Sequence, residues 1–188
     1  MKTYRLITVI GVAAALSLSG CAANTAIDSV DHSEHMVGDN LEFSAADVMF
    51  AQMMIPHHQQ AVELGEIAKN GEASAEVLAL AKEIAHDQTH EIEHMQAWLK
   101  AAGAGEHMDH EMAMDGMLTE TQLETLRAAK GEEFDRLFLQ GMIAHHEGAV
   151  SMAQDVVDSK NSEVAKLAAS IIETQTAQID QMKAMLGN

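Results

Sequence analysis

Apolar residues recur at intervals of three and four along the chain from residue 44 onward. This spacing is typical of amphipathic helices. It predicts a short helix at about 119–130 and four long helices at about 45–69, 74–102, 132–158 and 163–186. Ser44 and Thr119 stand at N-cap positions, and Gly103 follows the second long helix. The sequence therefore predicts an all-α fold.

The second half of this helical region repeats the first. The segment Asp47–Val62 aligns with Asp135–Val150, and the helices that follow align after a gap of one residue. Two similar helix hairpins in one chain imply a four-helix bundle with pseudo-twofold symmetry. The predicted domain covers residues 44–188, with repeats at about 44–102 and 132–187 and a loop at 103–118.

A doubled motif carries a resemblance to a known family. The pattern Met-Ile-x-His-His-x-x-Ala-Val occurs at Met54–Val62 and Met142–Val150, and Phe134-Asp135-x-x-Phe138 leads into the second copy. With these motifs the chain resembles the bacterial DUF-305 proteins, a domain of unknown function, over residues 43–187. The resemblance implies a ferritin-like four-helix bundle and an extracytoplasmic location. It also implies a relation to periplasmic copper-binding proteins, which the family includes.

Composition limits the possible partners. Hydrophobic residues make up 47% of the 188 residues, aromatic residues 3%, and there is one proline. This balance suits helices better than a β-sandwich or barrel. The chain has 29 acidic residues against 11 Lys and Arg residues, a formal charge of -18. Because phosphate binding needs a cationic surface, this charge excludes nucleic acid as a partner and favours cations.

The N-terminus has the pattern of a lipoprotein signal peptide. Lys2 and Arg5 precede the apolar run 6–18, which is too short for a good membrane span and ends in Leu18-Ser19-Gly20-Cys21. This sequence resembles the bacterial lipobox, so residues 1–20 are predicted to be removed and Cys21 to carry the lipid. The alternative is an ordinary cleavage site with an incidental cysteine. Residues 21–43 are polar and acidic, and we interpret them as a tether.

A lipid on Cys21 would place the protein in the cell envelope, facing the periplasm. Ala22 after the cysteine favours the outer membrane in a Gram-negative host. Cys21 is the only cysteine, so acylation would leave no free thiol. Cysteine nucleophiles and thiolate metal sites are then excluded.

The helical period turns both His-His pairs, and the methionine one turn before each pair, toward the interior. These six candidate metal ligands are Met54, His57, His58, Met142, His145 and His146. The alternative is a hydrogen-bonded structural core. The inward-facing Gln88 and Gln175 could be the partners of the histidines in such a core, or could surround a metal site.

Two further groups of histidine or methionine lie outside the predicted core. His86, His90 and His94 follow one another at intervals of four on the outer face of the second helix, where they predict a surface metal site, a docking face or a solvated polar face. The loop at 103–118 is acidic and carries thioether and imidazole groups that suit soft ions. The alternative is an acidic linker in which the methionines occur by chance. The candidate ligands of the loop are His107, Met108, His110, Met112, Met114 and Met117.

The predicted function is extracytoplasmic metal binding, most simply sequestration or transfer of Cu(I) or Cu(II), with silver or zinc as other possible ions. The alternative is a structural bundle that binds an envelope protein or forms a homo-oligomer. A di-iron enzyme is disfavoured, because Glu83-x-x-His86 and Glu91-x-x-His94 both lie on one helix. We therefore expect no catalytic activity.

Overall fold

The computed structural model describes residues 42–106 and 114–187. Over these two ranges the chain forms helices and loops without strands, which confirms the all-α prediction. The helices are α1 (Ala45–Asn70), α2 (Ala75–Ala102), α3 (Glu120–Ala128), α4 (Gly131–Gln154) and α5 (Ser162–Met185). The predicted signal peptide, almost all of the tether and the loop residues 107–113 lie outside the described residues.

Local hydrogen bonds explain where α1 begins and α4 ends. Ser44 and Asp47 form a capping box, in which each side chain accepts a hydrogen bond from the backbone amide of the other. The expected extension of the third long helix to residue 158 is wrong, because α4 ends at Gln154. The backbone amides there bond to carbonyls three residues earlier, as in a 3₁₀ turn. Ser159 then donates its hydroxyl proton to Asp47 at 2.7 Å. This bond ties the turn before α5 to the first turn of α1.

The four long helices pack as two hairpins. Helix α1 packs mainly against α2, and α4 against α5, while α1 also contacts α4 and α3 rests on α4. The apolar core forms two separate clusters, which we name after their phenylalanines. The Phe50 cluster includes Met95 and Ile171, and the Phe134 cluster includes Leu80 and Met182.

Each long helix crosses from one cluster to the other. Helices α1 and α5 begin in the Phe50 cluster, whereas α2 and α4 begin in the Phe134 cluster. Partners within a hairpin are therefore antiparallel, and so are α1 and α4, as a pseudo-twofold axis perpendicular to these helices would place them. In the described part of the chain, no helix is long and apolar enough to cross a bilayer.

Candidate metal centre

A layer of buried polar side chains separates the two apolar clusters. We call it the histidine layer; its members are His57, His58, Gln88, His145, His146, Gln175 and Gln178. All four imidazoles are 0% exposed, which confirms that both His-His pairs face inward. Met54 and Met142 are also 0% exposed. Each stands three and four residues before its histidines and so shares their side of the helix.

The two central imidazoles donate to backbone carbonyls. His145 donates from Nε2 to the carbonyl oxygen of His57 at 2.8 Å, and His57 donates from Nε2 to that of Asp115 at 3.3 Å. A carbonyl oxygen only accepts, so the proton of each ring sits on Nε2. The His57 and His145 ring centroids are 3.8 Å apart, whereas the two rings within each repeat are 6.2 Å apart.

The outer two imidazoles donate to side chains. His58 donates from Nε2 to Glu91 Oε2 at 2.7 Å, and His146 donates from Nε2 to Gln178 Oε1 at 2.8 Å. Glu91 and Gln178 occupy matching positions in the two aligned repeats.

Of the two roles that the sequence left open for Gln88 and Gln175, that of hydrogen-bond partner to the histidines is not the one observed. The acceptors stand three residues later on the same helices, at Glu91 and Gln178. Sequence reasoning missed them because Glu91 looked like part of the Glu-x-x-His94 pattern. The repeat alignment could have identified them. It places Glu91 and Gln178, whose side chains have nearly the same shape, three residues after Gln88 and Gln175.

The Nδ1 atoms of the four histidines lack a partner within residues 42–106 and 114–187. Among the described residues, none of the four buried Nδ1 atoms has a hydrogen-bond partner, and neither do the side-chain amides of Gln88 and Gln175. With the proton on Nε2, a neutral imidazole has an available lone pair on Nδ1. The layer thus offers four buried lone pairs, and a lone pair of this kind is what a metal ion takes from histidine.

Burial keeps these imidazoles neutral. It lowers the pKa of His57 from its ordinary value of 6.5 to about 3, with a smaller contribution from His58. It also lowers the pKa of His146 to about 4 and that of His145 well below its ordinary value. Desolvation disfavours the charged ring in each case. Near neutral pH these three rings are therefore in the form that binds metals.

The imidazoles of this layer do not by themselves form a site of three ligands. In the two described ranges, no three side chains of His, Cys, Asp or Glu come together in a way that could hold a metal ion. The layer instead presents imidazoles in pairs, with Met54 and Met142 one turn away on the same helices. A site here would combine imidazole and thioether ligands, a mixture suited to soft ions.

The predicted ligands on α2 lie on its exposed face. His86, His90 and His94 are exposed, as predicted for the outer face of α2. The His86 and His90 ring centroids are 4.7 Å apart. Of the loop residues, Met114 and Met117 are half-buried. His107, Met108, His110 and Met112 lie outside the described residues, so their role stays a sequence prediction.

The end of the loop crosses the bundle beside the histidine layer. This segment, Asp115–Leu118, is called the strap below. Gln60 holds it by two bonds: its Nε2 donates to the Leu118 carbonyl at 2.9 Å, and its Oε1 accepts from the Leu118 amide at 2.7 Å. At the matching position of the other repeat stands Gly148, where an added Cβ would lie 2.0 Å from the Asp115 carbonyl oxygen. The sequence predicts only a loop at 103–118 and does not indicate that its end docks on the bundle.

Comparison with known proteins agrees with this architecture. The family model "Domain of unknown function (DUF305)" matches residues 47–186. No curated protein sequence matches the chain at a significant level.

Three solved structures show the extent of the likeness. The "putative secreted protein DUF305" from Streptomyces coelicolor is 32% identical, with a TM-score of 0.72, over 76% of this chain and 92% of that one. A DUF305 fragment from Deinococcus radiodurans is 32% identical, with a TM-score of 0.71, over 77% and 97%. CopM in its Cu(I)-bound form is 36% identical, with a TM-score of 0.63, over 76% and 96%. The chain belongs to the DUF305 family.

Proposed function

We propose that this protein binds copper or silver ions outside the cytoplasm and sequesters or transfers them without catalysing a reaction. The single observation that carries the proposal is the set of four buried Nδ1 atoms that lack a hydrogen-bond partner within the described residues. The proposed ligands are the six inward side chains of the two repeats, which are Met54, His57, His58, Met142, His145 and His146.

The alternative of a purely structural polar core fits this observation less well. A buried polar atom without a partner costs about 1–3 kcal/mol, and native cores leave few such atoms. In the part of the chain that the structure describes, Nδ1 lacks a partner in all four histidines, and the side-chain amides of the matching glutamines Gln88 and Gln175 lack one as well. This repetition supports a ligand that binds in the layer.

The donor atoms favour soft ions. Neutral imidazole and thioether groups suit Cu(I) and Ag(I) better than hard cations such as magnesium or calcium. The similar protein CopM has been solved in Cu(I)-bound, Cu(II)-bound and Ag-bound forms. The exposed pair His86 and His90 would be a second and weaker site, suited to Cu(II) or Zn(II).

The location proposed here rests on the N-terminal sequence. The lipobox-like segment ending at Cys21 supports a lipid anchor in the cell envelope, with the bundle in the periplasm. The name of the similar Streptomyces coelicolor protein supports an extracytoplasmic location. Palmitate labelling of the protein in bacterial cells, compared with Cys21→Ser, tests the anchor: label that persists in the variant rejects it.

Thermal unfolding of the purified protein with and without Cu(I), Ag(I) or Zn(II) tests the metal site. A ligand at a hundredfold excess over its Kd stabilises the native state by about 2.7 kcal/mol, which is roughly 5–10 °C for a chain of this size. We expect this shift with Cu(I) and Ag(I), and its loss in the double variant His57→Gln/His145→Gln. The exposed double variant His86→Gln/His90→Gln is the matched control and should keep the shift.

Two results would contradict the proposal. If neither Cu(I) nor Ag(I) moves the midpoint of the wild-type protein, the bundle is better explained as an interaction module. If the buried double variant keeps the full shift while its metal-free form remains helical by circular dichroism, the ion binds elsewhere.

A further inference from the structure

The two halves of the histidine layer differ in one charge. His58 donates to a carboxylate at Glu91, whereas His146, its equivalent in the second repeat, donates to a neutral amide at Gln178. His57 and His145 donate to backbone carbonyls. Of the four acceptors that hold these rings, three are neutral and Glu91 alone carries a formal charge.

The position of Glu91 makes this charge effective. Its side chain is 17% exposed, its oxygen lies 2.7 Å from His58 Nε2, and the His58 side chain is fully buried. Water therefore screens this carboxylate less than the exposed acids of the surface. The histidines and methionines of the layer are neutral ligands, so they leave the charge of a bound ion uncompensated.

We infer that Glu91 supplies the negative charge that compensates a cation bound in the histidine layer, so that its carboxylate strengthens the binding of a divalent ion more than that of a monovalent ion. Charge left uncompensated in a buried core is unfavourable, and the neutral ligands of the layer compensate none of it. This inference rests on the proposed function and adds a determinant of specificity to it. Glu91 contacts His58 and is not one of the proposed ligands, so it acts through its charge.

The chain offers an isosteric test of this inference. Glu91→Gln gives both halves of the layer the same neutral acceptor, and Gln178→Glu gives both a carboxylate. The double variant Glu91→Gln/Gln178→Glu moves the single charge to the other half. Every variant is made in the His86→Gln/His90→Gln background, which removes the exposed candidate site and the His90 ring that Glu93 contacts, and which serves as the wild-type reference. Glu93→Gln is then the matched control, since it removes a carboxylate from the same helix at a side chain that is 64% exposed.

Affinities are measured by chelator competition for Ag(I), a monovalent probe that does not change its oxidation state, and for Zn(II), a divalent probe. Replacing the partner of a metal-ligating histidine lowers metal affinity by about 10–100-fold. We expect Glu91→Gln to lower the Ag(I) affinity within this range. Because Coulomb energy scales with ion charge, the change in log affinity for Zn(II) should be about twice that for Ag(I).

The other variants distinguish charge from local packing. Gln178→Glu should raise the Zn(II) affinity more than the Ag(I) affinity, and the double variant should keep the wild-type ratio between the two ions. Glu93→Gln should leave both affinities unchanged. Thermal unfolding of each metal-free variant shows that it is folded.

The outcomes separate this inference from the proposed function. If wild-type protein binds Ag(I) in the bundle but Glu91→Gln binds both ions as well as wild type, the inference is overturned and the proposed function stands. Equal shifts for Ag(I) and Zn(II) also overturn it, since they indicate lost positioning and not lost charge. If the wild-type bundle binds no Ag(I), the proposed function itself fails.

Discussion

Acidification should destabilise the metal-free protein through its buried histidines. Burial lowers the pKa of His57 to about 3 and that of His146 to about 4, from an ordinary value of 6.5. Below pH 6.5 the unfolded chain therefore binds protons that the folded protein does not bind. The free energy of unfolding falls as the pH falls from 6.5 toward the folded-state pKa, and above 6.5 these groups have no effect.

The magnitude follows from the size of the shifts. One pKa unit corresponds to about 1.36 kcal/mol, so each of these two histidines lowers the free energy of unfolding by roughly 2 kcal/mol between pH 7 and pH 5. The sum for His57 and His146, about 4 kcal/mol, is a large part of the whole stability of a small domain, about 5–15 kcal/mol. His145, whose pKa burial also lowers well below its ordinary value, acts in the same direction.

Urea unfolding of the metal-free protein at several pH values between 7 and 5 measures this effect. Carboxylates titrate in part of the same range, so the informative quantity is the difference between variants. His146→Gln should lose about 2 kcal/mol less than the wild type on going from pH 7 to pH 5. His90→Gln, at an exposed position, is the matched control and should follow the wild type. Parallel curves for all three proteins would refute the reasoning.

Three further predictions concern the strap and the capping box. Gly148→Ala should lower the free energy of unfolding by about 1–3 kcal/mol, because the new methyl group meets the Asp115 backbone. Gly141→Ala should lower it less, because its methyl group meets the flexible end of the Leu118 side chain. Urea unfolding of both variants measures the difference. Gln60→Ala leaves the Leu118 amide and carbonyl without their bonds and should speed hydrogen exchange of that amide; unchanged exchange would count against the strap contact. Asp47→Ala removes the acceptor used by Ser44 and Ser159 and should lower the thermal midpoint, with a loss of about 1–3 kcal/mol, whereas an unchanged midpoint would show that this link carries no stability.

The helical period predicted the core of the bundle because burial follows directly from the face of a helix. It turned His57, His58, His145 and His146 inward, and the structure buries all four completely. Periodicity gives the side of the helix and not the partner across the core. The sequence could therefore only offer Gln88 and Gln175 as possible hydrogen-bond partners, whereas Glu91 and Gln178, three residues later on the same helices, contact the rings.

The strap could not be predicted because loops have no period. Its docking depends on a backbone carbonyl of Asp115, which any residue supplies, and on close packing against Gly148. A single glycine inside a predicted helix has several explanations, of which close backbone approach is only one. The end of α4 was missed because the buried Val156 continues the apolar spacing of Ala149 and Ala153 beyond the last helical turn. Turn bonds and the link from Ser159 to Asp47 end the helix there.

The differences between the two repeats explain more about the site than their similarities. Shared positions hold the fold: Asp47 accepts from Ser159 before α5, and its equivalent Asp135 accepts from the Ser74 amide before α2, so each hairpin fastens the turn of the other.

The positions that differ lie around the histidine layer. Gln60 binds the strap while its equivalent Gly148 lets it approach, and the charged Glu91 stands opposite the neutral Gln178. The strap contacts add stability, but the exchange of Glu91 for Gln178 keeps the hydrogen bond to the ring and changes the charge beside it. Under the proposed function, these differences give a nearly symmetrical bundle one covered side and one carboxylate that compensates the charge of a bound ion.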